Sequence, residues 1–251
     1  MKKRYIISSG IRVVMAMILV TGFFYTEVSG KPDDVFLIFY TTKTGHTGHV
    51  GIAVDNYRIV VRDTVIGRKM RSVYDTVKNY SLTYYDLWGP STIQLNEHDK
   101  DLPSRYYKLP RSSAEQRITV DYFLTKGLPH SYDYPCDALI RIKTGSQTDF
   151  RLKEIAESIQ EEKKYFNTRA YNCTDYIILC LNRLLGIELK AREFIPFRWS
   201  STPNKFYQVV VSELDVDIIK KAGPEVNESF FKERVFNTVL FNQFINHEKT
   251  N

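Results

Sequence analysis

Two side chains far apart in the sequence have the chemistry of a nucleophile and its base, Cys173 and His49. Cys173 follows Asn172 in YNCTDYIILC, at the start of a run with helical periodicity. The unpaired backbone N–H groups and the positive end of the macrodipole at a helix N-terminus favour a thiolate. The same N–H groups can hold the oxyanion that forms when a thiolate attacks a carbonyl. The pattern is typical of a thiol nucleophile, although a cysteine in a buried helix is more often inert packing.

A catalytic thiolate needs a base, normally a histidine, and the histidine needs an acceptor that orients its ring. The chain has five histidines, and only His49, in GHTGHVGIAV, opens a predicted strand, where sheet pairing would fix its ring. The neighbouring positions on the same face, Gly51 and Ala53, are small and would let a helix N-terminus approach closely. His49 is therefore the predicted base for Cys173.

The orienting acceptor depends on the hairpin that follows His49. If its turn takes three residues (55–57), Asp63 faces His49 across the hairpin on the same face of the sheet. With a two-residue turn at 55–56 the register slips, and Arg62 faces His49 instead. The predicted catalytic residues are therefore Cys173, His49 and Asp63, with Asp63 dependent on this register.

His46 and His49, three residues apart, raise the alternative of a metal site. The spacing does not suit two ligands on one strand, and no cluster of cysteines or carboxylates accompanies them. The sequence therefore predicts no metal ion and no other cofactor.

The elements that must position these residues are short strands around His49 and helices later in the chain. VFLIFY (35–40) predicts a buried strand, and HVGIAVDNYRIVVRD predicts a hairpin that turns at 55–56. A capping box at Ser112 predicts a helix that ends at Gly127. Further helices are predicted for DFRLKEIAESIQEEKKYF, for CTDYIILCLNRLLG and for the segment that starts at Thr202 and Pro203.

The first thirty residues differ from the rest of the chain. MKKRY is basic, VVMAMILVTGFFY is apolar, and small residues follow up to Gly30, which is the pattern of a secretory signal peptide. The apolar run is short for a membrane span of about 20 residues, so an uncleaved anchor is the lesser alternative. Residues 31–251 are then predicted to form one exported domain, periplasmic or extracellular, with 212–251 as a Phe-rich C-terminal appendage.

Export makes the cysteines and the charge informative. Three cysteines cannot all pair, and Cys173 and Cys180 lie roughly 10 Å apart along one helix, so at least one free thiol is expected. The net charge of +6 is spread over the chain. It favours a solvated surface, with attraction to anionic lipid or cell-wall polymer as the alternative. No stripe of interleaved basic and aromatic residues is present, so no nucleic-acid partner is predicted.

The motifs TGHTGHVGIAV, RDTV and YNCTDYI, with STPNKFY after the cysteine helix, resemble the circularly permuted papain-like hydrolases of the NlpC superfamily. The resemblance is to the YiiX-like and lecithin–retinol-acyltransferase-like group and spans Val35 to Phe206. It implies an α+β fold in which an antiparallel sheet packs against a helix that carries the catalytic cysteine at its N-terminus. It matches Cys173 with the nucleophile, His49 with the base and Asp63 with the polar third member, where Asp departs from the usual Glu or His.

The resemblance implies a cysteine hydrolase that cleaves an amide bond through a thioester acyl-enzyme, and the predicted signal peptide implies that it is secreted. The expected substrates are cell-envelope peptides or lipid-linked N-acyl amides. An acyltransferase that passes the same acyl group to an amine is one alternative. An inactive envelope-binding module is another, against which the presence of both Cys173 and His49 argues. The oligomeric state is not indicated.

Overall fold

The computed structural model describes residues 33–42, 48–90, 97, 100–112, 116–128, 134–195 and 198–227. The predicted signal peptide (1–30) and most of the predicted appendage (212–251) lie outside these ranges, and so does His46. What the sequence indicates for those segments stays a prediction.

An antiparallel sheet is the centre of the described structure. The strands are β1 Asp33–Tyr40, β2 His49–Ile66, β3 Lys69–Trp88, β4 Arg105–Leu109, β5 Ala138–Thr144, β6 Arg192–Ile195, β7 Arg198–Ser201 and β8 Asp217–Lys220. Six of them form one sheet in the order β4-β3-β2-β1-β5-β8, in which every neighbouring pair runs antiparallel. The remaining two, β6 and β7, form a small hairpin of their own.

The helices lie between these strands along the chain. They are α1 Val120–Thr125, α2 Ser146–Glu161, α3 Cys173–Leu185 and α4 Pro203–Glu213, with a 3-10 helix at Pro224–Asn227. Among the helices described, none combines the length and the apolar character needed to cross a membrane.

The sheet has a hydrophobic core on each face, and β1 lies near its middle. Successive side chains of a strand point to opposite faces. The odd-numbered residues of 35–39 therefore join a core that includes apolar residues of α2, α3 and α4. The even-numbered residues of 36–40 join a second core with residues of α1. Burial on both faces explains why β1 is apolar throughout.

These observations confirm the predicted α+β class with an antiparallel sheet. Helix α3 begins at Cys173 and places Tyr176, Ile177 and Leu181 in the core shared with β1 and β2. It ends at Gly186, whose φ of 68° is the left-handed conformation that glycine adopts at least cost.

The hairpin after His49 is much longer than predicted. β2 continues through 55–57 with one irregularity in its pairing, and the chain turns only after Ile66, where Gly67 has a φ of 68°. Beyond Tyr57, β2 pairs with β3 alone in the described structure, so the two strands form a projecting two-stranded ribbon.

The predicted turn at Asp55 and Asn56 is therefore wrong. Both residues bind neighbouring groups instead of turning the chain. The Asp55 carboxylate accepts the backbone N–H of Asp34 at 3.1 Å, and the Asn56 side-chain oxygen accepts the Thr83 hydroxyl at 2.7 Å. These residue types usually form turns, but here they lie at an irregularity in the pairing of β2 with β3.

The helix predicted from Ser112 also begins later than expected. Helix α1 starts at Val120, and the Thr119 hydroxyl caps it by accepting the backbone N–H of Tyr122 at 3.1 Å. Ser112 itself is not helical, so the predicted start is wrong.

The space beside Gly51 is filled by Tyr84 of the neighbouring strand. The sequence had suggested that a helix N-terminus would approach there. A Cβ atom at Gly51 would lie 2.1 Å from the Tyr84 hydroxyl oxygen. We expect Gly51→Ala to displace this ring from its core and to lower the free energy of unfolding by about 1–3 kcal/mol. Urea unfolding measures the change.

Gly145→Ala is the matched control, because nothing lies within 4 Å of its Cβ position. It should change the free energy of unfolding by about 0.5 kcal/mol, the small effect expected at a helix N-cap. Equal losses in the Gly51 and Gly145 variants would show that the Tyr84 contact has no special role.

Candidate active site

Cys173 is the first residue of α3, and the residue before it fixes this start. The Asn172 side-chain oxygen accepts the backbone N–H groups of Thr174 at 2.9 Å and Asp175 at 3.3 Å. The Asp175 carboxylate in turn accepts the Asn172 N–H at 3.0 Å, which completes a capping box. Cys173 is half-buried and so lies at the surface of the helix N-terminus, as predicted.

The β6–β7 hairpin braces this helix start. The Asn172 amide nitrogen donates to the Ser201 carbonyl at 3.0 Å and to the Ser200 hydroxyl at 3.3 Å. The Ser201 hydroxyl donates to the Asp175 carboxylate at 2.5 Å. Burial raises the pKa of Asp175, and the Ser201 hydrogen bond opposes that rise. The cap is therefore held from two sides, and the backbone around Cys173 is tied to its surroundings.

His49 is the first residue of β2 and is only 2% exposed. Its ring stacks on the indole of Trp88, with ring centroids 4.1 Å apart and an interplanar angle of 27°. Its Nε2 lies 2.9 Å from the Oδ2 oxygen of Asp86, a fully buried carboxylate. The ring is thus fixed both by stacking and by a hydrogen bond to an acid.

Asp86 accepts hydrogen bonds from three side chains on that one oxygen. Besides His49, the Tyr84 hydroxyl donates at 3.0 Å and the Trp88 indole N–H donates at 2.8 Å. Tyr84, Asp86 and Trp88 alternate along β3 and therefore share a face of the sheet. These donors favour the ionised form of Asp86, so a negative charge lies beside the histidine.

The electrostatics of His49 follow from this arrangement. Burial alone lowers the pKa of His49, but the charge of Cys173 and hydrogen bonds to Asp86 and Cys173 outweigh it and raise the pKa to about 9. The Cys173 side chain is therefore close enough to the ring to raise its pKa. At neutral pH the ring is an imidazolium between a carboxylate and a sulfur.

Asp63 is not brought to this site. It lies 14 residues beyond His49 on β2, roughly 45 Å along the strand, on the exposed ribbon. There it faces Ser72, whose hydroxyl donates to its carboxylate at 2.7 Å. Because the hairpin turns at Gly67 and not at 55–57, the acid beside His49 comes from the returning strand as Asp86.

Sequence reasoning missed Asp86, although a signal was present. YYDLW (84–88) ends a β-rich segment and has Tyr84, Asp86 and Trp88 at alternate positions, so in a strand these three share one face. Placing that face beside His49 requires β2 to pair with β3. The predicted short hairpin, which turned at 55–57, excluded this pairing.

The other two cysteines behave as packing residues. Cys180 and Cys136 are fully buried, and burial raises their pKa values to about 12 and about 11. Neither forms a disulfide, and Cys173 is unbridged as well, which confirms the expectation of at least one free thiol.

Within the described ranges, no group of three or more His, Cys, Asp and Glu side chains is arranged to hold a metal ion. The His46 partner considered for His49 lies outside those ranges.

Comparison with known proteins identifies no relative, since no family model, curated protein or solved structure matches the chain. The arrangement of Cys173, His49 and Asp86 is therefore the basis for inferring a function.

Cys173 should be the thiol that reacts first with iodoacetamide at pH 6. It is half-buried beside an imidazolium, whereas Cys136 and Cys180 are inaccessible and their raised pKa values keep them protonated. Peptide mass spectrometry after timed labelling measures the three rates. His49→Ala should slow labelling of Cys173, and equal slow labelling of all three cysteines in both proteins would contradict the pairing.

His49 should titrate with a midpoint near pH 9 in the folded protein. The charge of Asp86 and its hydrogen bond both raise the pKa of His49. Asp86→Asn removes the charge and replaces the carboxylate hydrogen bond, so the midpoint should fall by about 1–3 units. Two-dimensional NMR of the imidazole carbons measures the shift. Asp63→Asn is the matched control, and a midpoint that moves equally in both variants would remove Asp86 from the site.

Proposed function

We propose that this protein is a cysteine hydrolase that cleaves an amide bond through a thioester acyl-enzyme. One observation carries the proposal, the position of His49 between Cys173 and the buried Asp86 carboxylate. A nucleophile, a base in contact with it and a third group that orients the base form the arrangement that activates a thiol or hydroxyl for acyl transfer.

The first step is attack of the Cys173 thiolate on the substrate carbonyl carbon, which forms a C–S bond and places the negative charge on the carbonyl oxygen. Asn172 occupies the N–H groups of Thr174 and Asp175, so the N–H of Cys173 itself is the helix N-terminal donor nearest the reacting carbon. This N–H stabilises the oxyanion together with the positive end of the α3 macrodipole.

The next steps are proton transfers through His49. The imidazolium gives a proton to the leaving amine nitrogen as the C–N bond breaks, and the neutral ring then takes a proton from the water that hydrolyses the thioester. Since Nε2 is held by Asp86, Nδ1 is the nitrogen that exchanges these protons. Asp86 stays ionised and keeps the ring oriented.

The proposal extends to the permuted papain-like fold. In that fold the strand that carries the histidine precedes the helix that carries the cysteine. In this chain β2 likewise precedes α3. The antiparallel sheet that packs against the cysteine helix supports the assignment. The proposed third member of the triad is Asp86, near the end of the returning strand β3. It replaces Asp63, which the sequence had predicted for this role.

Substrates are proposed from the expected export of the chain. They are amides of the cell envelope, either peptides of the cell wall or N-acyl amides of lipids. The site itself requires only a carbonyl with a nitrogen leaving group that can reach a half-buried thiol.

Incubation with purified cell wall and with a panel of N-acyl amides tests the proposal, with mass spectrometry of the released products. Cys173→Ala should abolish turnover, and Asp86→Asn should reduce kcat by about 10²–10⁴-fold, the effect of removing the orienting acid from such a triad. Asp63→Asn is the control and should retain full activity, because Asp63 lies on the distant ribbon.

Product analysis with an added primary amine separates the two acyl-transfer outcomes. A hydrolase still releases mainly the free acid, whereas an acyltransferase gives mainly the N-acylated amine. Product release that persists in Cys173→Ala would contradict both. Tight substrate binding without turnover by the wild-type protein would assign the chain to the inactive binding modules.

A further inference from the structure

The ribbon of residues 61–74, called here the distal ribbon, has one apolar face. Its cross-strand pairs Val61–Tyr74, Asp63–Ser72 and Val65–Met70 share that face, because partners in register point the same way and alternate residues repeat it. The four apolar side chains of this face are strongly exposed: Val61 54%, Val65 65%, Met70 73% and Tyr74 71%. The polar Asp63–Ser72 pair lies between the two apolar pairs of this face. Exposed apolar area of this kind marks an interaction surface.

The opposite face and the turn of the distal ribbon carry its cations, and Ile66 and Val73 also lie on that face. Arg62, Lys69 and Arg71 belong to the other set of cross-strand pairs, and Arg68 lies in the turn beside Gly67. Four cations against the single carboxylate of Asp63 give these fourteen residues a net charge of +3, half of the +6 of the whole chain. Among the described residues, no ion pair involves Arg68, Lys69 or Arg71.

We propose that the distal ribbon binds the surface of an anionic lipid bilayer. The apolar face would enter the boundary between headgroups and acyl chains, while the cations of the other face and of the turn contact the lipid phosphates. An amphipathic element of this kind gains from both contributions at once, from burial of apolar area and from attraction to anionic headgroups. A bilayer is the occupant that uses both faces of so thin an element.

Other occupants use only one of the two faces. A nucleic acid would contact the cations and leave Val61, Val65 and Met70 in water, because backbone phosphates dominate such binding. A second copy of the chain could cover the apolar face. Four side chains, however, supply less than the roughly 800 Å² per partner of a stable interface, and the basic turns of two copies would repel each other when close.

The distal ribbon is remote from the proposed active site. Its turn lies at the far end of β2 from His49, roughly 55 Å along the strand. It is therefore an anchoring element that holds the enzyme near a membrane without touching the reacting atoms. The inference does not rest on the proposed hydrolase, and variants of the ribbon leave Cys173 and its partners unchanged.

Co-sedimentation of the full chain with vesicles tests the proposal. Vesicles of equal parts phosphatidylglycerol and phosphatidylcholine are compared with vesicles of phosphatidylcholine alone. The Lys69→Ala/Arg71→Ala variant should bind the anionic vesicles about thirtyfold more weakly, since each cation near an anionic surface contributes about a factor of five. Val65→Thr/Met70→Thr should also reduce binding, and threonine keeps the strand propensity of the ribbon.

Arg151→Ala/Lys221→Ala is the matched control, because it removes the same charge from exposed positions outside the ribbon. All variants keep residues 1–30, so any contribution of that apolar segment cancels. The rate of Cys173 labelling, unchanged in every variant, shows that each protein is folded.

The control should bind within about threefold of the wild-type protein. Equal binding by the wild-type and ribbon variants would overturn the proposal, and so would an equal loss in the control, which reports only net charge. A dimer that Val65→Thr/Met70→Thr dissociates, in a protein that does not sediment with vesicles, would assign the surface to a second copy. Preferential binding of duplex DNA would likewise overturn it.

Discussion

The buried carboxylate of Asp86 is the group on which the rest of the site depends. One of its oxygens accepts three hydrogen bonds, from His49, Tyr84 and Trp88, in a position without solvent exposure. A buried charge is tolerated only with such partners, and the loss of one leaves the others uncompensated. The same contacts require Gly51, because the Tyr84 ring lies where a side chain at that position would be. The contacts that orient the His49 ring are therefore also the contacts that pack this end of the sheet.

The thiol is positioned by an independent set of interactions. Asn172 caps α3 and is itself held by the β6–β7 hairpin through Ser200 and Ser201. Cys173 lies close enough to His49 to raise its pKa, because α3 packs against β2. The proposed reaction needs both elements, so it depends on the tertiary packing that brings the sheet and the helix together.

Local signals in the sequence were sufficient for parts of this structure. The helix start near Cys173, the terminating Gly186 and the apolar strand β1 all follow from residue types and periodicity, whereas the choice of Cys173 and His49 as a pair also rested on the family resemblance. The acid partner was not predictable in the same way. Asp55 and Asn56 are residue types that usually form turns, yet here they lie at an irregularity within a strand. The position of the turn sets the register of a hairpin. An error in one turn therefore moved the predicted acid from Asp86 to Asp63.

The central claim is that Cys173, activated by His49, forms a covalent acyl-enzyme. Intact-protein mass spectrometry after a short incubation with a p-nitrophenyl acyl ester and an acid quench tests it most directly. We expect one added acyl group per chain, located on the peptide that contains Cys173 and much slower to form in His49→Ala. An adduct on a different residue would contradict this claim. So would the absence of any adduct while His49→Ala releases p-nitrophenol as fast as the wild-type protein.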